Sequence, residues 1–245
     1  MSEHGRIAAA YARRQALGAR YSLFDAATLR RVQQRERATL ALLHAAGLDR
    51  LGAYRVLDVG CGSGGELVTF VRWGAWPTRL HGVDLLLDRL ALARRRLPHA
   101  RWLAAAGEAL PFADATFDLV TQFTVFTSVL DAALRARIAA EMRRVLRPSG
   151  AIVWYDFWLP NPLNPDVRPV TRAELRRLFP GWRCVVRRLT LAPPLARALA
   201  SRAPLLCALL ERVPWLCTHD LALLQPPGRD RRGDEMPIRA ARTSG

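Results

Sequence analysis

Lysine is missing altogether: all 37 basic side chains are arginine, against 21 acidic residues, for a formal charge of +16 over 245 residues. An excess of that size ordinarily implies nucleic acid or an anionic membrane surface as partner. Complete use of one basic residue reads equally well as the codon bias of a GC-rich genome. The arginines are also scattered, as Arg13-Arg14, Arg30-Arg31, Arg94-Arg95-Arg96, Arg143-Arg144, Arg176-Arg177 and Arg187-Arg188, mostly on helix faces that solvent would cover. No basic tract interleaved with aromatics is present, and no specific nucleic-acid partner is expected. Cysteine is scarce. Cys61, Cys184, Cys207 and Cys217 form no C-x-x-C pair and meet no histidine cluster at ligand spacing, so neither a metal site nor a disulfide framework is expected. The start, Met1-Ser2-Glu3-His4-Gly5, lacks the apolar core of a secretory signal, and a cytoplasmic protein is the expectation.

Half of the residues, 51%, are hydrophobic, enough for one sizeable α/β core. The most informative stretch is Val56-Leu57-Asp58-Val59-Gly60-Cys61-Gly62-Ser63-Gly64-Gly65, a short apolar strand running into a glycine loop with an acid two residues ahead of the first glycine. Glycines let the backbone turn sharply and approach a ligand closely. The carboxylate of Asp58 would repel a pyrophosphate, whereas it suits a cationic amino-acid portion. Gly60, Gly62 and Gly65 also satisfy G-x-G-x-x-G, which keeps a dinucleotide site, and hence an NAD-type oxidoreductase, as an alternative. A second apolar strand, Leu80-His81-Gly82-Val83-Asp84, ends in an acid twenty residues beyond Gly64, a spacing that suits a ribose-binding carboxylate.

With these two elements come Gly107-Glu108-Ala109-Leu110-Pro111-Phe112, Phe117-Asp118-Leu119-Val120 and Arg144-Val145-Leu146-Arg147-Pro148-Ser149-Gly150. Together the five landmarks, across roughly residues 50 to 157, resemble the class I S-adenosylmethionine-dependent methyltransferases of the type 11 branch. The resemblance implies a doubly wound, mostly parallel seven-stranded α/β sheet with an antiparallel last strand. It implies S-adenosylmethionine as cofactor, with Asp58, Gly60, Cys61, Gly62, Asp84, Leu85, Gly107, Glu108, Ala109, Gln122 and Phe123 around it. Ala106 stands where the family often has an aspartate that binds adenine, so backbone groups at Gly107 and Glu108 are expected to take that role.

Periodicity divides the chain into a helical lead-in over residues 1–50, a cofactor-binding domain over 51–225 and a disordered Pro-, Gly- and Arg-rich tail over 226–245. Asp25 caps a helix over 26–46 that Gly47 ends, Asp131 caps another over 132–146, and Thr171-Arg172-Ala173-Glu174 is a capping box. An apolar helical insertion, 193–216, carries Arg197, Arg202, Glu211, Arg212 and several prolines, which excludes an uninterrupted spanning helix of about twenty residues. It is expected to act as a lid over the acceptor, with a dimer face or a peripheral membrane contact as alternatives.

In-line displacement at a sulfonium methyl asks the protein mainly to align the partners and exclude water, and no metal is expected. A hydroxyl acceptor would also need a base. Asp156 and His219, at the ends of late strands, are the candidates. Tyr21, Thr127, Ser128 and Tyr155 are expected to line the acceptor pocket. The aromatic run Trp154-Tyr155-Asp156-Phe157-Trp158 favours an apolar or stacked acceptor. The expected activity is metal-independent methyl transfer, at oxygen, to a small-molecule, glycan or lipid-linked acceptor. A non-enzymatic basic module that binds RNA or a membrane is the alternative from another class.

Overall fold

In the computed structural model the described residues are 2–15, 22–160 and 164–228. Tyr21 and most of the tail lie outside them. Seven strands form one sheet: β1 Val56–Val59, β2 Leu80–Asp84, β3 Arg101–Ala104, β4 Phe117–Phe123, β5 Leu146–Phe157, β6 Arg183–Leu191 and β7 Cys217–Gln225, in the order β3-β2-β1-β4-β5-β7-β6. Neighbours from β3 through β5 are parallel, and β7 runs antiparallel to both β5 and β6. Strand order reverses beside β1, so the crevice between the tips of β1 and β4 is the topological switch point where such sheets bind ligands.

Alternation along the strands sorts two cores. Leu57, Val59, Val83, Val120, Ile152 and Trp154 face one way, and α1 (Glu3–Gln15), α5 (Ala132–Val145) and α6 (Arg172–Leu178) cover them with Ile7, Leu134, Ile138, Met142, Leu175 and Leu178. Val56, Leu80, Leu119, Val153, Tyr155 and Leu221 face the other way, under α2 (Ala26–Ala45), α3 (Gly65–Arg72) and α4 (Leu87–Arg96), through Leu42, Leu43, Leu67, Phe70 and Leu90. Period-two burial on both faces is what a fully covered, mostly parallel sheet requires.

Helix ends follow the sequence. The Asp25 carboxylate accepts from the Thr28 amide at 2.7 Å, Asp131 accepts from the Ala133 and Leu134 amides, and Gly47 leaves α2 at φ +67°. The capping box is half formed. Thr171 Oγ1 accepts from the Glu174 amide at 3.1 Å, but the Glu174 carboxylate turns to Arg135 Nη1 at 2.9 Å. Arg135 is fully buried and also donates to the carbonyls of Val129 (2.7 Å) and Arg168 (2.8 Å). A buried guanidinium with one carboxylate and several carbonyls is well compensated, and it ties α5 and α6 to the loops beyond β4 and β5.

Strand β5 begins at Leu146, so Pro148-Ser149-Gly150, a tripeptide with turn chemistry, lies inside the strand. The register slips between Phe117 and Leu119 of β4, and a Cβ on Gly150 would lie 2.6 Å from the Asp118 carbonyl. The bulge absorbs the proline, and the glycine lets the two backbones close up.

Candidate functional site

The glycine loop is tied to β2 by its own amides. Gly60 and Cys61 both donate to the Val83 carbonyl, at 2.8 and 3.0 Å, and Gly62 donates to Asp84 Oδ2 at 2.7 Å. The second oxygen of Asp84 accepts from the Leu86 amide at 2.9 Å. Gly60, Gly62 and Gly64 have φ of +71°, +53° and +77°, the region that favours glycine. A Cβ on Gly60 would lie 2.4 Å from Val125 Cγ2, so this loop and the one after β4 touch only because the side chain is absent. The Cys61 side chain turns inward. Its sulfur would be 2.8 Å from a Cβ on Gly82, and burial pushes its thiol far up, so the residue contributes backbone rather than a nucleophile.

Asp58 is buried in β1 and accepts from Thr121 Oγ1 at 2.8 Å. Burial, then the nearby Glu66 carboxylate, raises its pKa well above the ordinary aspartate value, while the Thr121 bond opposes the rise. A buried acid held in an acidic neighbourhood is a place where a ligand cation would be welcome. A pyrophosphate would need loop amides as donors, and the amides of residues 60 to 62 are already spent on β2. The donor set therefore fits a cofactor whose amino-acid end carries an ammonium.

Part of the chain is similar to known methyltransferases. Residues 56–150 match the family model described as a methyltransferase domain. The demethylmenaquinone methyltransferase of Streptomyces griseus is 30% identical over 141 residues, 58% of this chain and 58% of that protein. The ubiquinone/menaquinone biosynthesis C-methyltransferase UbiE of Geobacter sulfurreducens is 36% identical over 112 residues, 43% of each chain. The chain thus spans about half the length of these relatives. The solved S-adenosylmethionine dependent methyltransferase of Mesorhizobium loti shares the fold at a TM-score of 0.55 and 19% identity, over 76% of this chain and 96% of that one. The cofactor of the domain is S-adenosylmethionine, and the sheet is the one expected of it.

A cleft of about 610 Å³, counted to its open mouth, lies at the carboxyl edge of β1 and β2. Among the expected cofactor residues, Gly60, Asp84, Leu85, Gly107 and Glu108 line it, as does Ser128, expected for the acceptor. The remaining expected residues lie elsewhere. Gln122 Nε2 donates to Asp156 Oδ2 at 2.8 Å, and its Oε1 accepts from the Val125 amide at 3.0 Å. Phe123 packs beside Tyr155 on the α2 face, and the Ala109 amide donates to the Ala106 carbonyl in a turn.

Sequence reasoning missed the wall made by α1, which brings His4, Ile7 and Tyr11 to the cleft. The helix is held there by Glu3, which accepts from the Leu130 amide at 2.6 Å, and by Arg6, which donates to the Ser128 carbonyl at 2.6 Å. His4 Nε2 lies 2.8 Å from Glu108 Oε1, an ion pair when the imidazole is protonated. Arg89 and Arg35 were also missed. The Arg89 guanidinium stacks on Tyr11 at 4.8 Å and would lie 2.2 Å from a Cβ on Gly62. Arg35, from α2, pairs with Glu66 and lies over the rings of Phe123 and Tyr155 at 4.9 and 5.3 Å.

Neither expected base lines this cleft or the larger cavity beside it. Asp156 accepts from the amide and hydroxyl of Thr127, at 3.0 and 2.8 Å, as well as from Gln122, and burial raises its pKa to about 6. His219 stacks on Tyr155 (centroids 4.6 Å apart, planes within 7°) and against Phe157. Burial, helped by Arg31 and Arg35, depresses its pKa well below the ordinary value, so it is neutral at physiological pH. Tyr155 OH meets Thr190 Oγ1 at 2.7 Å, leaving the phenol engaged. The larger cavity, about 1270 Å³ to its open mouth, lies between α2, the tips of β5 and β6, and the insertion, and is lined by Thr28, Arg31, Gln34, Phe157, Thr190 and Arg197 among others. Among the described residues no cluster of three or more His, Cys, Asp or Glu is placed to hold a metal.

Proposed function

We propose that the chain transfers a methyl group from S-adenosylmethionine to a small or lipid-linked acceptor bound in the larger cavity. The observation that carries this reading is the pairing of a donor-depleted glycine loop and buried Asp58 with a second cavity at the same edge of the sheet. The cofactor supplies an electrophilic methyl on a sulfonium centre. Asp84 would hold its ribose hydroxyls, Asp58 its ammonium, and Leu85, Gly107 and Glu108, with α1, its base. Phe123, Tyr155 and Arg35 pack on one another near the tips of β4 and β5, and that edge of the sheet is where aligned partners would meet out of water.

With Asp156 and His219 both engaged, the acceptor must bring its own electron pair near neutrality. A hydroxylated aromatic ring meets that condition, because a phenol ionises more readily than an alcohol. Transfer to its oxygen is the first reading. Transfer to a ring carbon activated by such a hydroxyl is the second, favoured by the two relatives, named for demethylmenaquinone and for a C-methyltransferase. Incubation with S-adenosylmethionine and a panel of hydroxylated quinols and naphthols should give a product heavier by one methyl, whose carbon or oxygen attachment NMR then assigns. If aliphatic glycosides are methylated and the phenolic panel is not, the acceptor assignment is overturned.

A further inference from the structure

The insertion folds as α7 (Pro193–Leu199), α8 (Pro204–Leu210) and a short turn over 214–216. Cys207 is fully buried and anchors α8 to the body, so the residues on either side of it turn outward. Leu205 is 86% exposed, Leu209 59% and Trp215 77%, with Leu206 and Val213 exposed between them. These side chains face solvent, while Pro193, Ala196, Arg197 and Glu211 line the larger cavity. Of the insertion expected to form a lid, α7 and Glu211 reach the cavity while Leu205, Leu206 and Leu209 of α8 do not line it, so those leucines are left for another task.

Charge on this face has nearly one sign. Arg197, Arg202 and Arg212 are exposed, and the single acid of the segment, Glu211, is bound by Arg30 Nε at 2.5 Å. Phe24, fully exposed, directly precedes Asp25, which lines the same cavity. We infer that residues 193–216 are a docking face for an anionic phospholipid surface, with Leu205, Leu209 and Trp215 entering the boundary between headgroups and acyl chains and Arg202 and Arg212 meeting phosphates. Apolar area and opposite charge together are what an interfacial helix needs, and arginine and tryptophan suit that boundary. The helices have seven residues each, so they lie on the surface and do not span it.

A second copy of the chain fits this face less well. Stable interfaces take about 20–30 residues a side. Here a handful of apolar side chains is flanked by arginines, and a twofold contact would oppose them to like charge. The docking face also adjoins the mouth of the larger cavity, so an acceptor dissolved in the bilayer would reach that cavity without crossing water. Docking itself does not depend on methyl transfer.

The test is flotation of the full chain with vesicles of phosphatidylcholine alone and of phosphatidylcholine mixed with phosphatidylglycerol, at physiological salt. Partitioning onto the anionic vesicles is expected. It should fall at least tenfold in Leu205→Ser/Leu209→Ser/Trp215→Ser and at least tenfold in Arg202→Ala/Arg212→Ala. Both variants should keep the wild-type thermal midpoint and S-adenosylhomocysteine affinity, because the replaced side chains are exposed; loss of docking is therefore distinguishable from loss of the cofactor site. Three results would overturn the inference: no partitioning of the wild type, a leucine–tryptophan variant that partitions as the wild type does, or a wild-type dimer that the same variant dissolves without any vesicle binding.

Discussion

At the scale of single residues, two carboxylates carry different work. Asp84 pins Gly62 and Leu86 while lining the cleft, so Asp84→Ala should weaken S-adenosylhomocysteine binding by about 1–3 kcal/mol and lower the thermal midpoint as well. Calorimetry on the folded variant checks it; unchanged affinity would remove Asp84 from the site. Asp58 has a raised folded-state pKa, so the stability it contributes is full below its unfolded value, near pH 4, and is lost as pH rises through the folded value. Asp58→Asn cannot ionise and should therefore be more heat-stable than the wild type near neutrality, with the difference vanishing near pH 4. The same variant should bind S-adenosylhomocysteine more weakly, and its affinity should not rise with pH as the wild type's does, because an ammonium favours the ionised acid. Equal affinities across the pH range would separate Asp58 from the ligand. Asp58, Gly60 and Asp84 were legible because strand, loop and acid spacing are local. His4, Tyr11, Arg35 and Arg89 were not, because nothing in the sequence marks a particular arginine, or a tyrosine in an alanine-rich helix, as reaching a distant loop.

At the scale of elements, the tips of β4 and β5 are joined by a buried network. Asp156 accepts from Thr127 twice and from Gln122 once, and Gln122 in turn holds the Val125 amide. That places the loop whose Val125, Ser128 and Val129 line the cleft. The shift of Asp156 from 3.8 to about 6 corresponds to roughly 3 kcal/mol of stability given up as pH rises across that interval. Asp156→Asn would set an amide donor against Gln122 Nε2, and a loss of about 1–3 kcal/mol in urea denaturation is expected. Turnover should stay within a few fold of the wild type, with an unchanged pH profile. A base would instead cost 10²-fold or more, so that result would return Asp156 to the chemistry. The sequence showed that Asp156 stands near a strand end but not which neighbours engage it, since that depends on the β4–β5 register and the bulge opposite Leu146. Strand and helix order was legible for the opposite reason: caps, glycines and apolar runs act within a few residues. Helix α1 has only Ile7, Ala10 and Tyr11 to mark an inner face, and it is positioned by Leu130 and Ser128, more than a hundred residues away.

At the scale of the whole molecule, many arginines are paired with acids, which leaves the excess of 16 unchanged. Asp220 binds Arg172 and Arg188, Asp118 binds Arg147, Asp166 binds Arg13, and Arg144 bridges Glu141 and Asp114. The more exposed of these pairs, such as Arg13 with Asp166 and Arg144 with Asp114, contribute up to about 1 kcal/mol each, so they say more about where charge lies than about stability. What remains is diffuse positive charge, which attracts any polyanion without reading it. RNA should therefore bind weakly, without sequence preference, and its affinity should fall steeply with salt because the free energy comes from released counterions. Attachment to anionic vesicles should decline less steeply over the same salt range, since leucine and tryptophan burial is not screened. Parallel titrations of one RNA, its scrambled sequence and the mixed vesicles between low and physiological salt measure both slopes. Tight binding to one RNA and not to its scramble at physiological salt would mean that the arginines form a recognition surface, and the charge would then have to be read as function rather than composition.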